Sequence, residues 1–304
     1  MSAFDHSIAR VTSHRPWPMP AEPWIMTQTW HDLLFAHWPV DPAVIRPLVP
    51  PQMALDLCDG RAWLGIVPFH MTNVAPRFLP AIPWMSAFPE LNVRTYVSAA
   101  GKPGVYFFSL DAANRLAVAG ARVFFHLPYY VADMAVAPRD DAIGYASHRL
   151  GGGADFVAAY RPIGPVFEPR PGTLEYFLTE RYCLHTIDRA GALRTVEIHH
   201  PPWALQLAEA EIGTNTMAAA AGVRLPDTEP LLHFAKRQDM IGWPPARPAE
   251  LQTSNSLGTS SFELKSPAAA TVGYTRTRRP WSGLMPTARM PGAQATIQSP
   301  YCVR

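Results

Sequence analysis

Lysine is almost missing from this chain. Of 26 basic residues only Lys102, Lys236 and Lys265 are lysines, so chemistry that needs a primary amine has three carriers at most. Charge is scarce altogether, at 16% of residues with a net +2. From Ala249 onward six cations face only Glu250 and Glu263, a balance of +4, which leaves the first 248 residues at −2. A slightly acidic body without a basic stripe excludes nucleic acid as its partner. The three cysteines, Cys58, Cys183 and Cys302, have neither metal-type nor redox spacing, and their odd number makes a poor disulfide framework. A reducing compartment follows, with Cys58 and Cys183 as small packing residues.

No uninterrupted hydrophobic run is long enough for a membrane. The most apolar long window, Ala117 to Ala137, contains Arg122, His126, Pro128 and Asp133, so no membrane span is expected. The amino terminus lacks the charged segment followed by an apolar run that marks a secretory signal. Together these absences predict a soluble cytoplasmic protein. There is also no G-x-S-x-G elbow, phosphate loop or dinucleotide fingerprint, and Gly151-Gly152-Gly153 reads as a turn. No cofactor is expected.

What is abundant is hydrophobic residues, 48%, and proline, 33 residues. The first allows a large core, and the second breaks the chain into short elements, favouring β-rich or α+β structure over a helical bundle. Residues 1–23 read as a Pro-rich, weakly ordered lead-in, 24–248 as the folded body, and 249–304 as a disordered tail of Ser, Thr, Pro, Gly, Ala and Arg. Within the body, strands are predicted at 31–40, 90–97, 105–110, 130–136, 143–149, 155–161, 182–187, 193–199 and 231–241. Residues 54–57 and 62–69 read as a hairpin. Helices are predicted at 42–48, capped by Asp41, at 112–124, capped by Asp111, at 174–181, and within 208–221.

The strand at 90–97 stands out because its alternation places Glu90, Asn92, Arg94 and Tyr96 on one face and Leu91, Val93, Thr95 and Val97 on the other. The next strand is apolar on both faces, so the polar row beside it is expected to be enclosed. Enclosed polar groups are costly unless hydrogen-bonded, which makes the row a candidate pocket lining; the bland alternative is an internally satisfied strand edge. Trp38, Trp63 and Trp203 could supply an apolar wall. Glu197-Ile198-His199-His200 invites a metal reading, but a strand puts Glu197 and His199 on one face and His200 on the other, and no second ligand pair completes a site, so no metal is expected. His126, His185 and His233 could join only through tertiary contacts.

Seven segments taken in order carry a family resemblance: His37-Trp38-Pro39-Val40, Arg46-Pro47-Leu48-Val49-Pro50, Val67-Pro68-Phe69, Glu90-Leu91-Asn92-Val93-Arg94-Thr95-Tyr96-Val97, Tyr106-Phe107-Phe108-Ser109-Leu110-Asp111, Leu127-Pro128-Tyr129-Tyr130 and Leu178-Thr179-Glu180-Arg181-Tyr182. From about Trp24 to Pro245 the chain resembles the YqjF-like family, domain of unknown function 2071, which is similar to the acetoacetate decarboxylase superfamily. The resemblance implies a single α+β domain: a curved, largely antiparallel β barrel or cone around a small cavity, flanked by short helices. In acetoacetate decarboxylases one lysine forms a Schiff base and a neighbouring lysine depresses its pKa. Here Tyr129-Tyr130 occupies the position of that pair, while Glu90 matches the pocket glutamate. A phenol cannot form an imine, and Lys236 beside Arg237 is the remaining substitute in the body. The resemblance and the polar row together imply a small-molecule ligand such as a keto or hydroxy acid. Glu90, Tyr129 and Tyr130 are the candidate catalytic groups and Asn92, Arg94, Tyr96 and Arg122 the candidate binding groups. A non-catalytic sensor or interaction module that keeps the cavity is the competing reading, and a homo-oligomer is compatible with either.

Overall fold

A computed structural model describes residues 3–82 and 86–248. Among them twelve strands form one sheet: β1 Met26–Val40, β2 Ala54–Leu55, β3 Ala62–Pro76, β4 Phe88–Ala99, β5 Lys102–Ala112, β6 Tyr129–Arg139, β7 Ala142–Arg149, β8 Asp155–Phe167, β9 Cys183–Ile187, β10 Leu193–His199, β11 Leu205–Asn215 and β12 Leu231–Gly242. Their order is β10-β9-β5-β6-β7-β8-β11-β12-β1-β3-β4-β2, and β4 also pairs with β5, so the ladder returns on itself. Every pairing is antiparallel except those of β5 with β6 and with β9. The helices are short: α1 Pro42–Ile45, α2 Arg115–Phe124, α3 Leu174–Thr179 and α4 Met217–Ala220. None among the described residues is long and apolar enough to cross a membrane.

Local chemistry explains most of these elements. Asp41 caps α1 by accepting from the Ala43 amide at 2.8 Å, with Pro42 in the first turn. The β4–β5 hairpin turns through Ala100 and Gly101, both at positive φ, as a tight turn between twisted strands requires. Asp111, expected as the cap of the next helix, instead lies at the end of β5 in a two-pronged ion pair with Arg149 at 2.6 and 2.7 Å. A fully buried carboxylate needs that cation more than a helix end needs the cap, so Asn114 caps α2 and the helix starts at Arg115.

One other expectation is corrected and one is narrowed. Residues 54–57 and 62–69 do not form a hairpin ladder: β2 pairs with β4, and β3 runs between β1 and β4. The helical portion expected within 208–221 is the four residues after Thr216, and the residues before it, 205–215, are strand, laddered on β8 and β12. The backbone of 205–215 satisfies its polar groups across two neighbours, which outweighs the helix-forming composition.

The core lies on both sides of β4. Leu91, Val93 and Val97 join Leu34, Leu64, Ile66, Phe156 and Phe234 on one side. On the other, Phe35, Val67, Phe69 and Phe88 form one cluster, and Tyr96, Phe107, Leu174 and Leu178 another. The lead-in, expected to be weakly ordered, is anchored from residue 3 onward. Ile8 is buried against Ile241 and Trp243, and Arg15 and Trp17 both donate to the Glu197 carboxylate, at 3.0 and 2.8 Å. A buried carboxylate on β10 supplies a partner that the proline content of the lead-in could not reveal. The tail expected at 249–304 lies outside the described residues.

Candidate functional site

The polar row of β4 faces a cavity of about 240 Å³. Glu90, Asn92 and Arg94 line it from β4, Tyr129 from β6, Arg181 and His200 from neighbouring segments. Its remaining wall is largely apolar and aromatic, including Trp30, Phe35, Phe69, Phe107 and Trp203. One wall is helical: Ala117, Ala121 and Phe125 recur every four residues along α2 and its end, a single stripe facing inward. On β5 the sequence alternation puts Phe107 and Leu110 on opposite faces, yet both line the cavity. The β4–β5 register slips between Val93 and Arg94, so Phe108 is an extra residue that rotates Leu110 inward.

Glu90 is buried, and the Tyr129 hydroxyl donates to its Oε2 at 2.8 Å. Burial pushes the Glu90 carboxyl up to about 8, with a smaller push from Asp111 that the Tyr129 hydrogen bond opposes. Tyr129 is raised well above the ordinary phenol value, first by burial and then by the Glu90 charge. A carboxyl that titrates near neutrality beside a fixed phenol donor can take up or release a proton at a ligand. The Tyr145 hydroxyl holds the Glu90 backbone carbonyl at 2.7 Å and that of Phe69 at 3.1 Å, which locks β4 against β3 at this point.

The neighbouring pair is unsatisfied. Asn92 Oδ1 and Arg94 Nε are both buried without a hydrogen-bond partner. Arg94 spends one nitrogen on the Leu178 carbonyl at 3.2 Å and lies 5.3 Å over the Phe35 ring, and no ion pair among the described residues neutralises it. Gly65 makes the room: opposite Arg94 on β3, an added methyl would stand 3.0 Å from the His37 ring and 3.3 Å from Arg94 Cγ. Buried polar groups in folded proteins are almost always paired, so these two orphans, with Trp203 Nε1 a third on a residue lining the same void, mark a place where a ligand or water would complete the set.

Three expected site residues lie elsewhere. Tyr96 is fully buried behind the row, its hydroxyl donating to the Leu178 carbonyl at 2.7 Å and contacting His37 Nε2 at 2.6 Å. Tyr130 points the other way from Tyr129, as adjacent strand residues must, and is capped by the Arg149 guanidinium 3.9 Å over its ring. Arg122 is on the outer side of α2, donating to the Tyr129 carbonyl at 2.6 Å. Among the described residues no lysine lines the cavity. Lys102 is bound to Glu197, and Lys236 pairs with Asp32 on the surface, its side chain 76% exposed.

Glu197 and His199 are likewise committed, to Arg15 and to the Ile8 carbonyl, and no metal-holding group of three His, Cys, Asp or Glu occurs among the described residues. Of the three tryptophans considered for a wall, Trp203 lines the cavity while Trp38 and Trp63 belong to separate parts of the core. Arg181 and His200 also line the cavity, although Arg181 is not among the expected site residues and His200 enters only through the rejected metal reading. Arg181 had a signal, a cation on the apolar side of a predicted helix; it is held by Asp56 and the Phe177 carbonyl. Burial drives His200 down to about 4 and keeps it neutral.

A family model described as an uncharacterized conserved protein, domain of unknown function 2071, matches residues 27–239. The uncharacterized protein YqjF of Bacillus subtilis strain 168 is 56% identical over 222 residues, 73% of this chain and 91% of the relative. The chain belongs to the YqjF-like family. Among solved structures, acetoacetate decarboxylase from Legionella pneumophila aligns at a TM-score of 0.52 with 13% identity, over 81% of this chain and 98% of that one. The enduracididine biosynthesis enzyme MppR complexed with pyruvate aligns at 0.51 with 10% identity, over 78% of this chain and 92% of that one. At such identities the likeness shows the fold alone, and this member of the YqjF-like family has an acetoacetate decarboxylase-like fold.

Proposed function

We propose that the returning ladder of strands is a barrel or cone whose cavity takes a small keto or hydroxy acid, and that the protein acts on this acid without an imine-forming lysine. The observation that carries the reading is the orphan pair, Asn92 Oδ1 and Arg94 Nε, beside the same void. Arg94 offers a planar donor fork to a carboxylate, and the Asn92 Oδ1 acceptor is placed for a hydroxyl next to it. The Glu90–Tyr129 pair supplies the proton-transferring group, with Glu90 close to its midpoint at neutral pH. A cavity of about 240 Å³ suits a ligand of a few carbons. The pyruvate complex of MppR, on the same fold, is in keeping with that size.

The lack of a cavity lysine among the described residues favours a second reading, a binding protein that retains the site without turnover. Incubation with a panel of keto and hydroxy acids, followed by product analysis, separates the two. Conversion by the native protein that falls at least about a hundredfold in Glu90→Gln supports acid–base chemistry. Binding without conversion leaves the sensor, and the absence of both sinks the proposal.

A further inference from the structure

A second hollow, a surface groove of about 330 Å³, abuts the first. Phe107 and Leu127 line both, so a single layer of side chains separates the groove from the cavity. Leu127 is half-buried and sits on the short link from α2 to β6. That link enters through His126 at φ +55, a backbone conformation uncommon for a side chain of this size. It is held at its ends by Thr186 Oγ1 donating to the His126 carbonyl at 2.8 Å and by the Leu110 amide on the Pro128 carbonyl at 3.0 Å. Between those anchors the Leu127 side chain can swing by rotamer change alone.

The groove is cationic. Arg122 and Arg189 line it, and neither has an ion-pair partner among the described residues. Its one carboxylate, Asp188, is already spent: Oδ1 accepts from the Ala190 and Ala192 amides at 2.9 Å, and Oδ2 from Arg194 at 2.8 Å. Two uncompensated guanidinium groups outside the partition and a third, Arg94, within the cavity favour one sign of ligand charge along one path.

We infer that the groove is the outer station of the cavity: a small carboxylic acid is first drawn by Arg122 and Arg189 and passes inward when Leu127 moves off Phe107. This rests on reading the cavity as a ligand site, but its test uses no ligand. A cysteine placed on the cavity wall, by Met71→Cys or separately by Val105→Cys, is timed in its reaction with two thiol reagents, each compared with itself across the variants. One is sulfonate-bearing methanethiosulfonate ethylsulfonate, the other uncharged methyl methanethiosulfonate, and the parent without the new cysteine is the blank.

With either cysteine, Leu127→Gly should speed both reagents and Leu127→Trp slow both, by on the order of tenfold. Arg122→Gln combined with Arg189→Gln should slow only the sulfonate, also by on the order of tenfold. Rates indifferent to Leu127, a sulfonate preference that survives loss of both arginines, or no reaction of either cysteine in the Leu127→Gly background overturns the inference. Failure of acids to bind, measured separately by calorimetry, would instead remove the ligand-site reading while leaving the route as measured.

Discussion

Tyr129 reaches Glu90 from two strands away, hydroxyl to carboxylate at 2.8 Å, because β6 runs parallel to β5 and sets Tyr129 beside Leu110 while β4 sets Glu90 beside Ala112. The pairing is one of two parallel ones in a largely antiparallel sheet, and it is what brings a phenol and an acid from separate segments to one void.

The Glu90 pair has a pH signature in stability. A carboxyl at about 8 in the folded chain, against 4.5 ordinarily, holds its proton better folded than unfolded. Its stabilising effect is therefore full below pH 4.5 and is lost as pH rises through 8. Buried neutral histidines such as His200, down to about 4 from 6.5, act oppositely, losing stability as pH falls below 6.5. The window from 6.5 to 8 belongs to Glu90. Urea melts there should show native stability falling by roughly 2 kcal/mol, and Glu90→Gln should flatten the slope.

Removing the donor moves that window. Tyr129→Phe takes away a hydrogen bond that favours the ionised carboxylate, so Glu90 should titrate higher, by roughly one to two pH units. Infrared titration of the labelled carboxyl reads this directly, and an unchanged midpoint would show that the bond carries no weight.

Two arginines should behave oppositely on truncation. Arg149→Met leaves Asp111 buried and unpaired and should cost about 3–5 kcal/mol. Arg94→Met removes a cation that has no counter-ion among the described residues, so it should be neutral or stabilising by about 1 kcal/mol. Thermal melts of both variants check the contrast; a large loss at Arg94 would make it structural.

Amine chemistry is tested by trapping. Borohydride reduction in the presence of a keto acid, followed by peptide mass mapping, should leave Lys102 and Lys236 unmodified, since one is tied to Glu197 and the other pairs with Asp32 at the surface. A reduced adduct on either lysine would restore the imine mechanism.

Much of this could be read in the chain before any coordinates. The period-two alternation through Glu90, Asn92 and Arg94 announced a polar face within an apolar neighbourhood, and the same three residues line the cavity. Alternation also implies that only one of Tyr129 and Tyr130 can face inward, but not which, because that depends on a parallel pairing across a helix. The extra residue at Phe108 left no mark in sequence, since both faces of β5 are apolar. The Arg15–Glu197 bond spans 182 residues, and nothing local in a proline-rich lead-in foretells it. Arg122 lay within reach in sequence, yet the helical stripe of Ala117, Ala121 and Phe125 turns it outward.

The central claim is that Asn92 and Arg94 await an anionic guest, and calorimetric titration of the native protein with pyruvate and lactate, beside their uncharged amides, tests it most directly. At least one acid should bind at a single site, with its amide bound at least about tenfold more weakly and Arg94→Gln abolishing the difference. Equal affinity for acid and amide, binding that is indifferent to Arg94, or no heat from any of the four would contradict it.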